Sequence, residues 1–249
     1  MSIRRLTPLR ANPLRASPFW ANLFLLACVV GTGACSSDIF DVDVAFTAQS
    51  YAFDFGAQTG QVPVVACNAD DDPCSGVVTA TGDEAIRALH VGCSPQEGQC
   101  YVQADAELAF TLSILEQSDF NTKVQRRSIE VVRSVEVAYA IPVNTLSFDI
   151  PQIDIFVGPE GTRRFDDPGV VFVDSIETVP AGAVAALPTH HLVVADHSAA
   201  RALLQDTIVQ QQPFVFVLAT SPRLTSGQPI PAGQLTVELH PLVRLGIPR

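Results

Sequence analysis

The sequence predicts an all-β protein, an antiparallel β-sandwich of immunoglobulin-like type with one short helix. The first indication is a series of segments in which apolar and polar residues alternate, as in strands with one buried face. The second is the frequency of turn residues, since the chain contains 15 glycines and 18 prolines. Only residues 198–211 have the apolar spacing of a helix. Short strands separated by turns are typical of a sandwich.

The longest alternation predicts one long strand. Its apolar set occupies every second position of residues 102–114, and the interleaved set includes Gln103, Asp105 and Glu107. Shorter strands are predicted before it, at residues 42–47 and 51–55. A later strand keeps its apolar residues on one face over residues 129–139, except that Arg133 falls on the apolar side. We therefore expect a β-bulge or a break in the strand near Arg133 and Ser134.

The apolar pattern changes parity at Pro151 and Gln152. Leu146, Phe148 and Ile150 form one set, whereas the set after the change is Ile153, Ile155 and Val157. One extra residue at this point allows a strand to pass from one sheet to the other. Turns follow at residues 158–161 and 166–169, and short strands are predicted at residues 163–165 and 170–173.

The predicted helix has clear boundaries. Asp196 or Ser198 is its N-cap, and Pro213 follows its end. Residues 214–219 are apolar at every position, which predicts a central strand, and a last strand covers residues 235–245 with an interruption at Pro241. The sequence favours two lobes, an N-terminal β lobe over residues 35–121 and a second β-sandwich over residues 122–249.

Four cysteines of the first lobe form two segments of identical spacing. The pairs are Cys67 with Cys74 and Cys93 with Cys100. Four cysteines allow three connectivities, and we favour the two local pairs because each would close a polar loop that contains a proline. The spacing fits neither a CxxC redox pair nor a zinc site, so structural disulfides of an oxidising compartment are expected.

The N-terminus has the pattern of an export signal, with residues 1–34 as the signal peptide. Four arginines and no acidic residue precede an apolar run that starts at Phe19. That run is shorter than the roughly 20 residues of a spanning helix. The segment Thr32-Gly33-Ala34-Cys35, followed by Ser36, Ser37 and Asp38, places small residues before a cysteine.

This segment resembles the lipobox of bacterial lipoprotein precursors. The resemblance implies that Cys35 is acylated, with palmitate among the chains, and becomes the new N-terminus. Cys28, after Leu25-Leu26-Ala27, is a competing site, but cleavage there would leave an odd thiol. Serine after Cys35 implies the outer membrane of a Gram-negative envelope. An ordinary secretory signal cut after Ala34 is the alternative and would release a periplasmic or secreted protein.

The net charge of the predicted mature chain limits the classes of partner that it can bind. The chain from Cys35 onward contains all 26 acidic residues but only 11 of the 15 basic ones, a net charge of −15. Such a field repels nucleic acid and anionic head groups. We therefore expect attachment to a membrane through the lipid alone, and an envelope protein or a divalent cation as partner.

No catalytic motif is present in the mature sequence. It lacks a GxSxG elbow, a phosphate-binding loop and a dinucleotide-binding glycine pattern, so we expect a non-catalytic binding or structural module without a cofactor. Two weak alternatives remain open. A metal-dependent hydrolase would use His190, His191, Asp196 and His197, and a calcium-stabilised adhesion module would use the acidic loop with Asp70 and Asp72, although that loop departs from the EF-hand pattern.

Overall fold

The computed structural model describes residues 39–56, 62, 67, 86–94, 98–124 and 127–249, with the backbone alone at residues 86–89 and 186–192. The strands in chain order are β1 (Ile39–Ala45), β2 (Gln49–Asp54), β3 (Ile86–Ser94), β4 (Gln99–Leu112), β5 (Val131–Asn144), β6 (Ile153–Pro159), β7 (Val171–Ile176), β8 (Ala185–Val193), β9 (Phe214–Thr220), β10 (Arg223–Thr225) and β11 (Gln234–Pro248). The helices are α1 (Ser118–Lys123), which follows a single 3₁₀ turn at Ile114–Glu116, and α2 (Ala199–Val209).

The first sheet is organised around β11. One side of this long strand pairs with β2 along its first half and with β1 along its second half, and the other side pairs with β5. β8 completes the sheet beyond β5. Every pairing is antiparallel. The expected interruption at Pro241 is wrong, because Pro241 keeps its register with Val137 and its carbonyl accepts a hydrogen bond from Phe46 N at 2.9 Å.

The second sheet is organised around β4 and β9. β3 pairs with one side of β4, while β9 and then β10 pair with its other side, and β6 and β7 follow beyond β9. β9 is buried at nearly every position, as expected for a central strand. The two antiparallel sheets confirm the predicted β-sandwich with a short helix.

The core lies between the two sheets and contains a chain of five aromatic rings. Tyr51 stacks on Phe110 with ring centroids 4.3 Å apart, and further contacts of 5.7–5.9 Å link Phe110 to Phe216, Phe216 to Phe214 and Phe214 to Phe46. Phe46 and Tyr51 belong to the first sheet's side, and the other three to the second sheet. We call these five residues the inner aromatic cluster.

Two predicted irregularities are confirmed. The register between β5 and β11 skips Arg133, since Ser134 pairs with Arg244 and Val132 with Leu245, which is the expected bulge. Leu146, Phe148 and Ile150 are buried before Pro151, and Ile153, Ile155 and Val157 are buried after it. β5 ends in the first sheet and β6 begins in the second, so the chain changes sheet around Pro151 and Gln152.

The predicted helix is confirmed as α2. Ser198 is the N-cap, and its hydroxyl accepts a hydrogen bond from Arg201 N at 3.0 Å. Ala200, Leu204, Thr207 and Ile208 are its buried residues. A second, shorter helix, α1, follows the 3₁₀ turn at Ile114–Glu116.

The expected division into two lobes at residue 121 is wrong. β1 and β2 pair with β11, and β4 pairs with β9, so strands from both sides of residue 121 are neighbours in each sheet. Residues 38–249 form one compact unit. The strands form a single sandwich because C-terminal strands pair directly with N-terminal strands in both sheets.

The favoured local pairing of cysteines is also wrong. Cys67 is bonded to Cys93, with an S–S distance of 1.98 Å and a Cα–Cα distance of 5.8 Å. Cys67 N donates to Gly98 O at 2.9 Å, so residue 67 lies against the β3–β4 hairpin. Cys93 faces Cys100 across that hairpin, and Cys100 is also disulfide-bonded. Cys74 lies outside the described residues.

Candidate binding groove

The candidate site is a groove on the solvent-facing side of the second sheet. Successive side chains of a strand point to opposite faces, so the residues between the core-facing ones define this side. Glu107 of β4, Ala219 of β9 and Asp154 of β6 lie opposite one another in register. They are outward neighbours of the core row formed by Leu108, Leu218 and Ile155.

Two adjoining cavities form the groove. The larger, of about 660 Å³, includes His90, Asp105 and Glu107, and the smaller, of about 210 Å³, includes Asp154 and Phe156. Both are lined by Phe165, Ala219, Thr220 and Ser221. We call the combined space the outer groove.

The carboxylates of the outer groove are held by neighbouring polar groups. Asp105 accepts a hydrogen bond from Gln103 Nε2 at 3.0 Å, and its other oxygen lies 3.0 Å from His90 Nε2. Asp154 Oδ1 accepts from Gln152 Nε2 at 2.8 Å and from Ser175 Oγ at 2.7 Å. These donors fix the positions of the two carboxylates.

The environment of Asp105 favours its ionised form. Burial alone would raise the pKa of this carboxyl, but the hydrogen bonds from Gln103, Ser221 and His90 outweigh that effect and place the pKa below its ordinary value. Asp105 is therefore negatively charged throughout the physiological pH range.

A structured loop between β6 and β7 forms one wall of the groove. Asp167 Oδ2 accepts hydrogen bonds from the backbone N–H groups of Arg163 at 2.8 Å and Arg164 at 2.9 Å, and these bonds lower the pKa of Asp167. The short strand expected at residues 163–165 is therefore wrong, because a side chain takes up the donors that a ladder would use. Gly161 and Gly169 have φ values of 89° and 82°, which glycine adopts without strain.

This loop places Arg164 and Phe165 beside the sheet. Arg164 Nε lies 3.0 Å from Asp166 Oδ1 and 3.8 Å from Glu107 Oε2. The Glu107 side chain is only 5% exposed, whereas the Arg164 side chain is 51% exposed. The loop thus supplies a cation to a buried carboxylate of the sheet.

Three phenylalanines form the apolar part of this face. The ring centroid of Phe156 is 5.4 Å from that of Phe165 and 5.7 Å from that of Phe172. Phe165 is 43% exposed and Phe172 is 53% exposed. We call these residues the outer aromatic cluster. Grouped and exposed aromatic rings make this face a candidate interaction surface.

The polar groups of the groove do not form a nucleophilic relay. A serine nucleophile requires a base in hydrogen-bond contact with its hydroxyl. Here Asp105 lies between His90 and Ser221 and contacts both of them. The low pKa of Asp105 makes this carboxylate a weak base, which is poorly suited to activate the Ser221 hydroxyl.

Of the four metal candidates predicted from the sequence, only Asp196 and His197 have described side chains. His190 and His191 occupy β8, opposite Tyr139 and Ala138 of β5, and their side chains lie outside the described residues. Asp196 is 81% exposed and its Oδ1 lies 3.7 Å from Arg201 Nε. His197 has a φ of 64° just before α2. Among the described residues, no three metal-ligating side chains form a group.

The other predicted site residues lie outside the described residues. They are the signal peptide over residues 1–34, the lipidation candidates Cys35 and Cys28, and the acidic-loop residues Asp70 and Asp72. In the part of the chain that the structure describes, no helix has both the length and the apolar character needed to span a bilayer.

A second cavity of about 550 Å³ lies beside Tyr139, Asp174 and Glu177. The Tyr139 side chain is buried, and burial raises the pKa of its phenol, with smaller contributions from Glu177 and Asp174. This cavity lacks the exposed aromatic group that the outer groove has. We therefore take the outer groove as the candidate site.

Comparisons with known proteins give no family. No family model and no curated protein matches the chain. Among solved structures, a Desmodium yellow mottle tymovirus structure has a TM-score of 0.29 and 6% identity, with 98% of this chain and 96% of that chain covered. A turnip yellow mosaic virus structure has a TM-score of 0.25 and 10% identity, with 61% and 95% covered. Similarity at this level carries no argument about function.

Proposed function

We propose that this protein is a cell-envelope lipoprotein, tethered to the outer membrane through acylated Cys35, whose sandwich acts as a non-catalytic binding module. The observation that carries the binding part is the outer groove, in which fixed carboxylates adjoin exposed phenylalanine rings. Such a combination of apolar surface with a few oriented polar groups is typical of ligand sites.

The attachment part rests on the N-terminal sequence. Four arginines, a short apolar run and the segment Thr32-Gly33-Ala34-Cys35 are typical of a lipoprotein precursor. More than one acyl chain on the new N-terminus would provide stable anchoring, at about 0.8 kcal/mol per buried methylene. The Cys67–Cys93 disulfide is consistent with an oxidising compartment.

Labelling with radioactive palmitate in a Gram-negative host tests the attachment. We expect label and outer-membrane fractionation for the unaltered protein and for Cys28→Ala, and loss of both for Cys35→Ala. Cys28→Ala is the matched control because it removes a cysteine from the same leader. Label that persists in Cys35→Ala would contradict attachment at this residue.

Cross-linking in intact cells tests the binding role. A photo-reactive phenylalanine analogue placed at Phe172 lies beside the outer groove, and the same analogue at Leu115, which is 48% exposed, samples a surface on the 3₁₀ turn. We expect a discrete adduct from position 172 that Asp154→Asn abolishes, and none from position 115. Equal adducts from both positions, or none from position 172, would contradict a binding role for the groove.

A further inference from the structure

We propose that the outer groove binds an arginine side chain of a protein partner, with the guanidinium held between Asp154 and the rings of Phe156 and Phe165. This inference rests on the proposed binding function and names the chemistry of the ligand. It commits to the smaller cavity of about 210 Å³ as the arginine site and to the larger one as the space for the adjoining peptide.

Charge complementarity favours a cation. The residues that line the two cavities include three carboxylates and one arginine: Asp105, Glu107, Asp154 and Arg164. The chain as a whole is strongly acidic, with a net charge of −11. Both the local and the long-range field therefore attract cations and repel anions.

The orientation of Asp154 favours a ligand with a planar pair of donors. Among the described residues, Gln152 and Ser175 donate hydrogen bonds to Asp154, and both bonds end on Oδ1. Oδ2 is the oxygen that a ligand would approach, because these two bonds occupy both lone pairs of Oδ1. A guanidinium presents a planar array of N–H groups, two of which can converge on one carboxylate oxygen, whereas an ammonium is a point charge on a flexible stem.

The neighbouring rings favour arginine over a metal ion. Phe156 and Phe165 line the same small cavity as Asp154. A guanidinium packs on an aromatic face through cation–π and stacking contacts, whereas a divalent metal ion requires several oxygen ligands. Among the described residues, no group of three such ligands is present.

The same face of the sheet already holds two arginines of this chain by these two kinds of contact. Arg223 lies opposite Gln103 in register, and its guanidinium carbon is 4.0 Å from the ring centroid of Tyr101. Arg164 pairs with Glu107 and Asp166. The space beside Asp154 offers both a carboxylate and rings, so a third guanidinium would combine the two contacts.

Fluorescence anisotropy with labelled six-residue peptides tests the proposal. The probes alternate glycine with arginine, lysine or glutamate, and they are titrated with the purified full-length protein at physiological ionic strength. We expect the arginine peptide to bind about tenfold more tightly than the lysine peptide, because a guanidinium can bind Asp154 Oδ2 and stack on the rings at the same time. The glutamate peptide should not bind.

Two variants and two matched controls locate the site. Asp154→Asn removes the charge but keeps an acceptor for Gln152 and Ser175, and Phe165→Ala removes a ring from the exposed loop. Glu130→Gln and Leu115→Ala remove an exposed charge and an exposed apolar side chain elsewhere. Each groove variant should weaken binding of the arginine peptide about tenfold, while each control should stay within about twofold of the unaltered protein. Thermal melts check that all four variants fold.

Several outcomes would overturn the proposal. Equal affinity for the arginine and lysine peptides would show a non-specific attraction to an acidic protein, and so would equal weakening by Asp154→Asn and Glu130→Gln. A discrete adduct from position 172 in cells, together with no binding of the arginine peptide, would overturn the arginine inference and leave the proposed binding function standing. Loss of the adduct as well would contradict both.

Discussion

The second sheet carries aromatic rings on both faces, and the two groups differ in what covers them. In the inner aromatic cluster, Phe214 and Phe216 are almost completely buried and the first sheet provides Phe46 and Tyr51 as partners. In the outer aromatic cluster, Phe165 and Phe172 remain about half exposed. The energy of burial explains the inner rings, whereas the outer rings gain less from burial, and we propose that they bind a partner.

The largest expected difference between the clusters is in folding stability. Phe216→Ala should lower the free energy of unfolding by about 3–5 kcal/mol, because it leaves a cavity in the core. Phe172→Ala should lower it by less than about 1 kcal/mol, since the ring is at the surface. Urea denaturation measures both. Equal losses would mean that the outer ring is a structural residue, and the comparison would fail.

The disulfide should have the next largest effect. Replacing Cys67 and Cys93 together by alanine opens a loop of 26 residues in sequence separation, which should cost about 3 kcal/mol. The loss should be concentrated in β3, the edge strand that carries His90. Hydrogen exchange followed by mass spectrometry should therefore show that the variant exchanges faster than the unaltered protein, with a larger increase in β3 than in β9. Uniformly faster exchange in both strands would contradict a local constraint.

The ionisation of Tyr51 at alkaline pH should lower the folding stability, which tests the burial of the inner aromatic cluster. Burial raises the pKa of its phenol to about 12, from an ordinary value of 10.0. Because the folded state holds the proton more tightly, this contribution to stability is complete below pH 10 and is lost as the pH rises toward 12. Tyr51→Phe lacks the titrating group, so its stability relative to the unaltered protein should increase over that interval in urea titrations. A constant difference would contradict the burial of this phenol.

The protonation of Asp105 in acid should lower the folding stability by a smaller amount, which tests the hydrogen bonds of the outer groove. The pKa of this carboxyl lies below its ordinary value of 3.8, so the folded state favours the ionised form. Its contribution is complete above pH 3.8 and is lost as the pH falls through the lower value of the folded state. The stability advantage of the unaltered protein over Asp105→Asn should therefore shrink only in strong acid. An advantage that is already lost near neutral pH would exclude the hydrogen bonds assigned to Asp105.

Periodicity predicted the elements because it records which face of each strand is buried. It identified β4, β9 and α2, the bulge at Arg133 and the change of sheet near Pro151. It also showed the polar set of Gln103, Asp105 and Glu107. It did not show that β6 and the loop after it lie beside this set, since the order of strands depends on contacts distant in sequence. The two-lobe prediction failed for the same reason.

Two predictions from local sequence were wrong, the short strand at residues 163–165 and the pairing of the cysteines. In both cases a backbone N–H group donates to a side chain or to a distant segment of the chain. Asp167 takes the N–H groups of Arg163 and Arg164, which removes the short strand expected there. Cys67 reaches Cys93 because its own N–H binds Gly98 at the hairpin turn. Identical spacing of the two cysteine segments contained no information about that contact. Asp154 and the outer aromatic cluster were not predicted as candidate site residues, because they come from two strands and a loop and form no sequence motif.

The most direct test of the account is to map backbone amide chemical shifts during titration with the alternating glycine–arginine peptide. We expect the perturbed amides to lie in the outer groove, at outward positions of β4, β6 and β9 and in the loop that contains Arg164 and Phe165. Amides of β1, β2 and β11 in the first sheet should not move. Perturbations in the first sheet, shifts spread over every acidic surface, or no shifts at all would contradict the claim that this face of the second sheet is the binding surface.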